Sequence, residues 1–228
     1  MPKLLFYFSF IPIMEISVDQ MMQIENKGHH MGFLKKFMME NAGAIAVKRL
    51  AEKFDNIESK NILVFAGLGN NGGDGLVMAR HIAGYGSKVT VVLLGTPDKI
   101  KTEESQWNWE LLEKMPSVQL ISGTNKIIDL NPDIIVDGIL GTGISREIRE
   151  PYASAIKYIN DSNCFKISVD VPSGVNPDNG ETANIFVQSN MTVTFHKMKR
   201  GMPKRKDLCG EIYVEKIGIP PEAEEGIL

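Results

Sequence analysis

The stretch from Val64 to Leu76, VFAGLGNNGGDGL, constrains the chain more than any other, because an apolar run stops abruptly at a turn with five glycines in nine residues. Ile62 to Phe65 reads as a buried strand: four consecutive apolar residues, two of them β-branched, suit a strand covered on both faces. Gly67 to Gly75 then fits neither ordinary strand nor ordinary helix. Glycines at 67, 69, 72, 73 and 75 permit positive φ angles and let the backbone approach a ligand closely. Leu76, Val77, Ala79, Ile82 and Ala83 follow at helical spacing, so the turn is expected to open a helix. A helix N-terminus presents unpaired N–H groups and a positive dipole end, which predicts an anion or phosphate cradle.

Gly67, Gly69 and Gly72 fit the G-x-G-x-x-G template between a strand and a helix, a weak pointer to a dinucleotide when it stands alone. A hydride-transfer enzyme of that kind carries an acid at the end of the next strand, about twenty residues on, to hold the ribose. Here that strand, Val89 to Leu94, runs into Gly95 and Thr96, and Asp98 comes too late. Ordinary hydride transfer is therefore disfavoured. Phosphoryl transfer is disfavoured too, because the G-K-[ST] ending of a P-loop is missing. The polar insert Asn70, Asn71 and Asp74 could be turn formers, but three such residues among five glycines at a strand's carboxyl end favour a site.

Composition sets the class. With 228 residues, 43% hydrophobic, a net charge of −3 and a pI near 5.9, the chain reads as an ordinary globular protein with no nucleic-acid partner. Cys164 and Cys209 form no ligand or redox spacing. Lys3 precedes an apolar run too short to span a bilayer and without a cleavage site. Residues 1–13 are accordingly read as an N-terminal extension and 14–228 as one domain, in the cytoplasm and with no membrane partner.

Along the chain, Ser17 and Gln20 form a capping box. A longer helix follows Gly32, with Gly43 in its interior for close packing and Asn41 either packing or turned toward the glycine loop. Later strands are expected at 88–94, 118–121, 133–140, 166–171, 191–195 and 211–217, with helices at 103–115 and 151–160. Trp107, Leu111 and Leu112 are assigned to packing. This alternation predicts an α/β fold, a Rossmann-like three-layer α/β/α sandwich around a mostly parallel sheet.

Ligands in such sheets bind beyond the carboxyl ends of the strands. There the fourth strand runs from Asp137 into Gly141, Thr142, Gly143, Ile144, Ser145, Arg146 and Glu147. Arg146 could clamp a phosphate or pair with Glu147 or Glu150. The fifth strand ends in Asp170, held with Ser173 on a stiff turn by Pro172 and Gly174, as an acid/base or ligand anchor. His196 to Arg200 suit a phosphate or a solvated loop. Asp137 lies inside an apolar strand, where an unpaired carboxylate is expensive. A hard cation held by oxygen atoms from Asp137, Ser173 and the Asn70/Asn71 turn would compensate it.

Several long motifs carry a family resemblance: GLGNNGGDGL at 67–76, DGILGTGISRE at 137–147, SVDVPSG at 168–174, MENAG at 39–43 and TVTFHKMKRG at 192–201. In this order and spacing they resemble the NAD(P)H-hydrate epimerases, the YjeF N-terminal-domain family. The resemblance implies interconversion of the R and S forms of hydrated NADH or NADPH, so that a separate dehydratase can use the S form. It also implies substrate contacts from Asn70, Asn71, Gly72, Gly73, Asp74, Gly141, Thr142, Gly143, Ile144, Ser145, Arg146, Glu147 and Asp170, with Asp170 catalytic. Asn71, Asp137 and Ser173 would bind a potassium ion, and a homodimer is expected. The alternative is a non-catalytic nucleotide-binding or scaffold module of the same fold. Retention of an acid/base group beside an ion site argues against it.

Overall fold

The structure, a computed structural model, describes residues 15–123, 130–141 and 147–228. The extension at 1–13 and the stretch from Thr142 to Arg146 lie outside the described residues.

A short strand β1 (Glu15–Ile16) leads into α1 (Val18–His30) and α2 (Lys35–Lys53). The Ser17–Gln20 capping box is present, with Gln20 N donating to Ser17 Oγ at 3.2 Å. Next come β2 (Asn61–Ala66), α3 (Asn70–Gly84), β3 (Lys88–Leu93), α4 (Glu103–Leu112), β4 (Val118–Ser122) and β5 (Ile134–Gly138). The second half holds α5 (Tyr152–Asp161), β6 (Phe165–Val169), β7 (Met191–Phe195), β8 (Met198–Lys199), α6 (Lys206–Cys209) and β9 (Glu211–Glu215).

Seven strands form one sheet in the order β4-β3-β2-β5-β6-β7-β9, and every neighbouring pair is parallel. Chain order reverses between β2 and β5, so the topological switch point lies at their carboxyl ends, where such sheets bind ligands. The alternation of side chains explains the layers. Ile62, Val64 and Ala66 face one core with residues of α1 to α4, and Leu63 and Phe65 face another with Ala155, Ile156 and Ile159 of α5. Both faces are covered, which is why the strands read as continuous apolar runs.

Two expectations about the glycine stretch are corrected. The helix begins at Asn70, not after Gly75, so Gly72, Gly73 and Gly75 are helical. None of the five glycines has positive φ; at Gly67, Gly72 and Gly73 what matters is the absence of a side chain. A Cβ on Gly67 would lie 1.9 Å from the Ile139 carbonyl oxygen, and one on Gly72 would lie 1.9 Å from that of Gly67. The turn and the helix start are thus pressed against each other and against the end of β5. Gly43 has the packing role, because its Cβ would meet Val77 Cγ1 at 2.4 Å.

Trp107 is 44% exposed, whereas Trp109 is buried at 3%. The aromatic that packs is therefore Trp109, since Trp107 lies on the outer face of α4. A further correction is a second small sheet, the parallel pair β1–β8, which turns part of the expected basic loop into a strand.

Candidate active site

The crevice at the switch point contains a cavity of ≈ 220 Å³. Its walls include Asn70, Asn71 and Asp74 from the first turns of α3, Gly141 beyond β5, and Asp170 beyond β6. Glu25 of α1, Lys35 of α2, Glu104 of α4 and Lys199 of β8 add further charged lining. Gly72 and Gly73 are not on that wall: Gly72 faces the Gly67 carbonyl, and Gly73 faces Ser105 and Met39. Glu147 also stands apart, in an exposed ion pair with Arg149 at 3.4 Å.

Asp170 follows the last residue of β6 and adopts a left-handed conformation, φ 62. Asp tolerates that region better than most residues, and such backbone outliers concentrate at functional sites. Its Oδ1 accepts hydrogen bonds from Thr194 Oγ1 at 2.9 Å and Phe195 N at 3.2 Å, and is ion-paired with Lys199 Nζ. Burial first, then the negative charges of Asp170 and Glu25, push the Asp74 carboxyl well above the usual carboxylate range, against the pull of Lys199. Burial likewise raises Glu25. Four carboxyl groups, Glu25, Asp74, Glu104 and Asp170, thus line one cavity, and burial raises two of them, Asp74 and Glu25, an arrangement suited to moving protons.

Asp137 is fully buried within β5. The expected compensation is largely supplied by the protein itself. Oδ1 accepts from Ser173 Oγ at 2.5 Å and Ile139 N at 3.3 Å; Oδ2 accepts from Ser168 Oγ at 2.7 Å and Ser173 N at 2.9 Å. Burial still raises its pKa, with the Ser173 and Ser168 hydrogen bonds opposing. Ser173 Oγ in turn accepts from Leu140 N at 2.8 Å, fixing the turn before Gly141. Asn71 reaches the same turn, since a Cβ on Gly141 would lie 3.3 Å from Asn71 Oδ1. The buried Asn71 Nδ2 has no hydrogen-bond partner among the described residues. As a donor, this group calls for an acceptor such as a substrate oxygen or a water.

Sequence reasoning missed Glu25 and misplaced Lys199. Most of the basic group after β7 is paired within the protein rather than solvated, Arg200 alone being exposed. His196 is 1% exposed with Nε2 3.0 Å from Glu224, Lys197 pairs with Glu224 at 2.8 Å, and Arg200 donates to Gln20 at 2.7 Å. Asn41 does not enter the glycine-loop site; its Nδ2 donates to the Ile217 carbonyl at 2.9 Å. The neighbouring Met39 does line the cavity, and Glu40 pairs with Arg80 and His81. Only the fold could reveal these partners, because each comes from a distant part of the chain.

Comparison with known proteins agrees with this geometry. The family model described as YjeF-related protein N-terminus matches residues 35–201. A protein of Nitrosopumilus maritimus named NAD(P)H-hydrate epimerase is 74% identical over 215 residues, covering 94% of this chain and 100% of its own length. A Cenarchaeum symbiosum protein of the same name is 61% identical over the same shares. The bifunctional NAD(P)H-hydrate repair enzyme Nnr of Methanothermobacter thermautotrophicus is 44% identical over 86% of this chain, which spans 38% of that longer protein. The crystal structure of yeast ynu0 superposes with a TM-score of 0.78 over 88% of each chain at 24% identity, and so supports the fold alone. With that family match and these identities, the chain belongs to the family of YjeF-related protein N-termini.

Proposed function

We propose that this protein is an isomerase that interconverts the R and S forms of hydrated NADH and NADPH, repairing damaged cofactor for a dehydratase to complete. The observation that carries the reading is the cavity at the switch point, floored by glycine-packed α3 and closed by Asp170, in a chain 74% identical to a named NAD(P)H-hydrate epimerase. The dinucleotide would lie across the α3 N-terminus. Asn70, Asn71, Asp74 and the segment Gly141 to Glu147 would contact it, and Asp170 would exchange protons with the hydrated ring or a water beside it. The longer bifunctional relatives support a dehydratase as the functional partner. Action as a homodimer belongs to the same reading, and exposed Met31, Phe33, Phe37 and Trp107 supply apolar surface of the kind a partner covers.

The decisive assay supplies a stereochemically mixed hydrate together with an S-specific dehydratase. The protein is expected to let the R form be consumed as well. If the R form disappears no faster than without the protein, the proposal fails.

We also propose that Asn71, Asp137 and Ser173 would hold a potassium ion, because amide, carboxylate and hydroxyl oxygens suit a hard cation. When bound, the ion would supply positive charge that offsets Asp137 and would pin the turn at Leu140 and Gly141 beneath the substrate. The expected result is thermal stabilisation by potassium chloride over tetramethylammonium chloride at equal ionic strength. Saturation to about ten times Kd would add about 1.4 kcal/mol, or roughly 3 to 5 °C in a chain of this size. Asn71→Leu should abolish the difference between the salts. An equal melting temperature of the parent protein in both salts would refute the ion assignment.

A further inference from the structure

Lys199 is 1% exposed, and a lysine is almost never buried so fully unless its charge is satisfied. Its ammonium has three donors and finds three acceptors: Asp170 Oδ1, Thr194 Oγ1 at 3.0 Å and the Phe195 carbonyl at 3.0 Å. Thr194 closes the arrangement, because its hydroxyl accepts from Lys199 while donating to the same Asp170 oxygen at 2.9 Å. The fold goes out of its way to deliver this lysine, since it lies on the two-residue strand β8, held in register by Ile16 of β1. Every hydrogen bond to the Asp170 carboxylate ends on Oδ1, and Oδ2 accepts none among the described residues.

We propose that Lys199 is the positioning residue of this site: its ammonium locks Asp170 through Oδ1, which leaves Oδ2 as the oxygen that meets the substrate. This rests on the epimerase reading for its chemical consequence but not for its geometry. A base in this cavity needs such help. Glu25 of α1, Asp74 of α3 and Glu104 of α4 all line the same space, and among the described residues only Lys35 of α2 and Lys199 oppose them. Repulsion among neighbouring carboxylates favours protonation, and a cation in contact with one of them decides which stays charged. Lys199 is the cation in contact with Asp170 and fixes its orientation together with Thr194 and Phe195.

The test uses Lys199→Met, which keeps the length of the side chain without the charge, and Lys199→Gln, which retains a donor. In both, the acid limb of the kcat–pH profile is expected to move up by about 1 to 3 units, the displacement an adjacent cation causes. Activity lost near neutrality should therefore return as the pH is raised, with KM little changed. A purely structural lysine would instead lower activity at every pH. Two measurements are independent of turnover. Carbon NMR of the Asp170 carboxyl should titrate at higher pH in either variant than in the parent. In the intact parent protein, the Lys199 ammonium should give a slowly exchanging nitrogen-correlated signal, as a fully bonded ammonium does. An unmoved Asp170 titration in a folded variant, or a freely exchanging Lys199 ammonium in the parent, overturns the proposal. A parent protein that shows both NMR signatures but does not epimerise would instead overturn the epimerase reading and leave the role of Lys199 standing.

Discussion

Replacing Asp170 by Asn is expected to lower kcat by roughly 10³-fold while leaving KM close to that of the parent, in the range that loss of a general acid or base produces. The substitution isolates the chemistry. Asn tolerates the left-handed backbone that Asp170 adopts, so the turn after β6 has no reason to rearrange. Its amide oxygen can still accept from Thr194, Phe195 and Lys199, the partners that hold Oδ1. What disappears is the charge and the basicity of the free oxygen. Steady-state rates with the R hydrate, coupled to an S-specific dehydratase, read the effect directly. A variant as fast as the parent would remove Asp170 from the mechanism.

The second large effect is on stability. Gly72→Ala should destabilise the protein by about 3 kcal/mol or more, the upper range for forcing a group into a packed interior. Its Cβ would stand 1.9 Å from the Gly67 carbonyl oxygen and 2.6 Å from the Gly67 carbonyl carbon. Those are backbone atoms, and Gly67 is itself wedged against the Ile139 carbonyl. No side-chain rotation can relieve the clash. The loss corresponds to roughly 6 to 12 °C in melting temperature for a domain of this size, read by calorimetry. Gly69→Ala is the control, because nothing lies within 4 Å of the position of its added Cβ. Equal melting temperatures for the two variants would show that the contact between Gly72 and the Gly67 backbone is not as tight as described.

Much of this architecture was legible because its causes are local. Buried parallel strands announce themselves as unbroken apolar runs, and each expected strand of the large sheet is found within a few residues of its expected limits. Shortening occurs where the chain turns toward the site: β6 ends at Val169, so Asp170 lies beyond it. The capping box was legible for the same reason, since both partners lie within three residues. The glycines were noticed correctly but for an incomplete reason. Permissive φ is a property of the residue, whereas the need for a missing Cβ belongs to the neighbours, and Gly67 and Gly72 are required by Ile139 and by each other.

The site divides along the same line. Asn70, Asn71, Asp74, Gly141 and Asp170 could be named from their places at strand ends and helix starts, and all five line the cavity. Asp137 could be singled out because a carboxylate in an apolar strand demands an explanation, and Ser173 could be set beside it as a co-ligand; that Ser168 and Ser173 bond it directly emerges only when β6 and the turn after it pack alongside. Glu25 and Lys199 carry no such mark. One is an ordinary acid on an amphipathic helix and the other is one of several basic residues in a row. By itself, then, the sequence determined the parallel sheet, the glycine turn and the carboxylate that ends β6, because periodicity and local chemistry act over a few residues. Only the tertiary structure decided that Lys199 binds Asp170, that Glu25 and Asp74 share its cavity, and that Asp137 is satisfied, because burial and charge pairing depend on which distant segments meet.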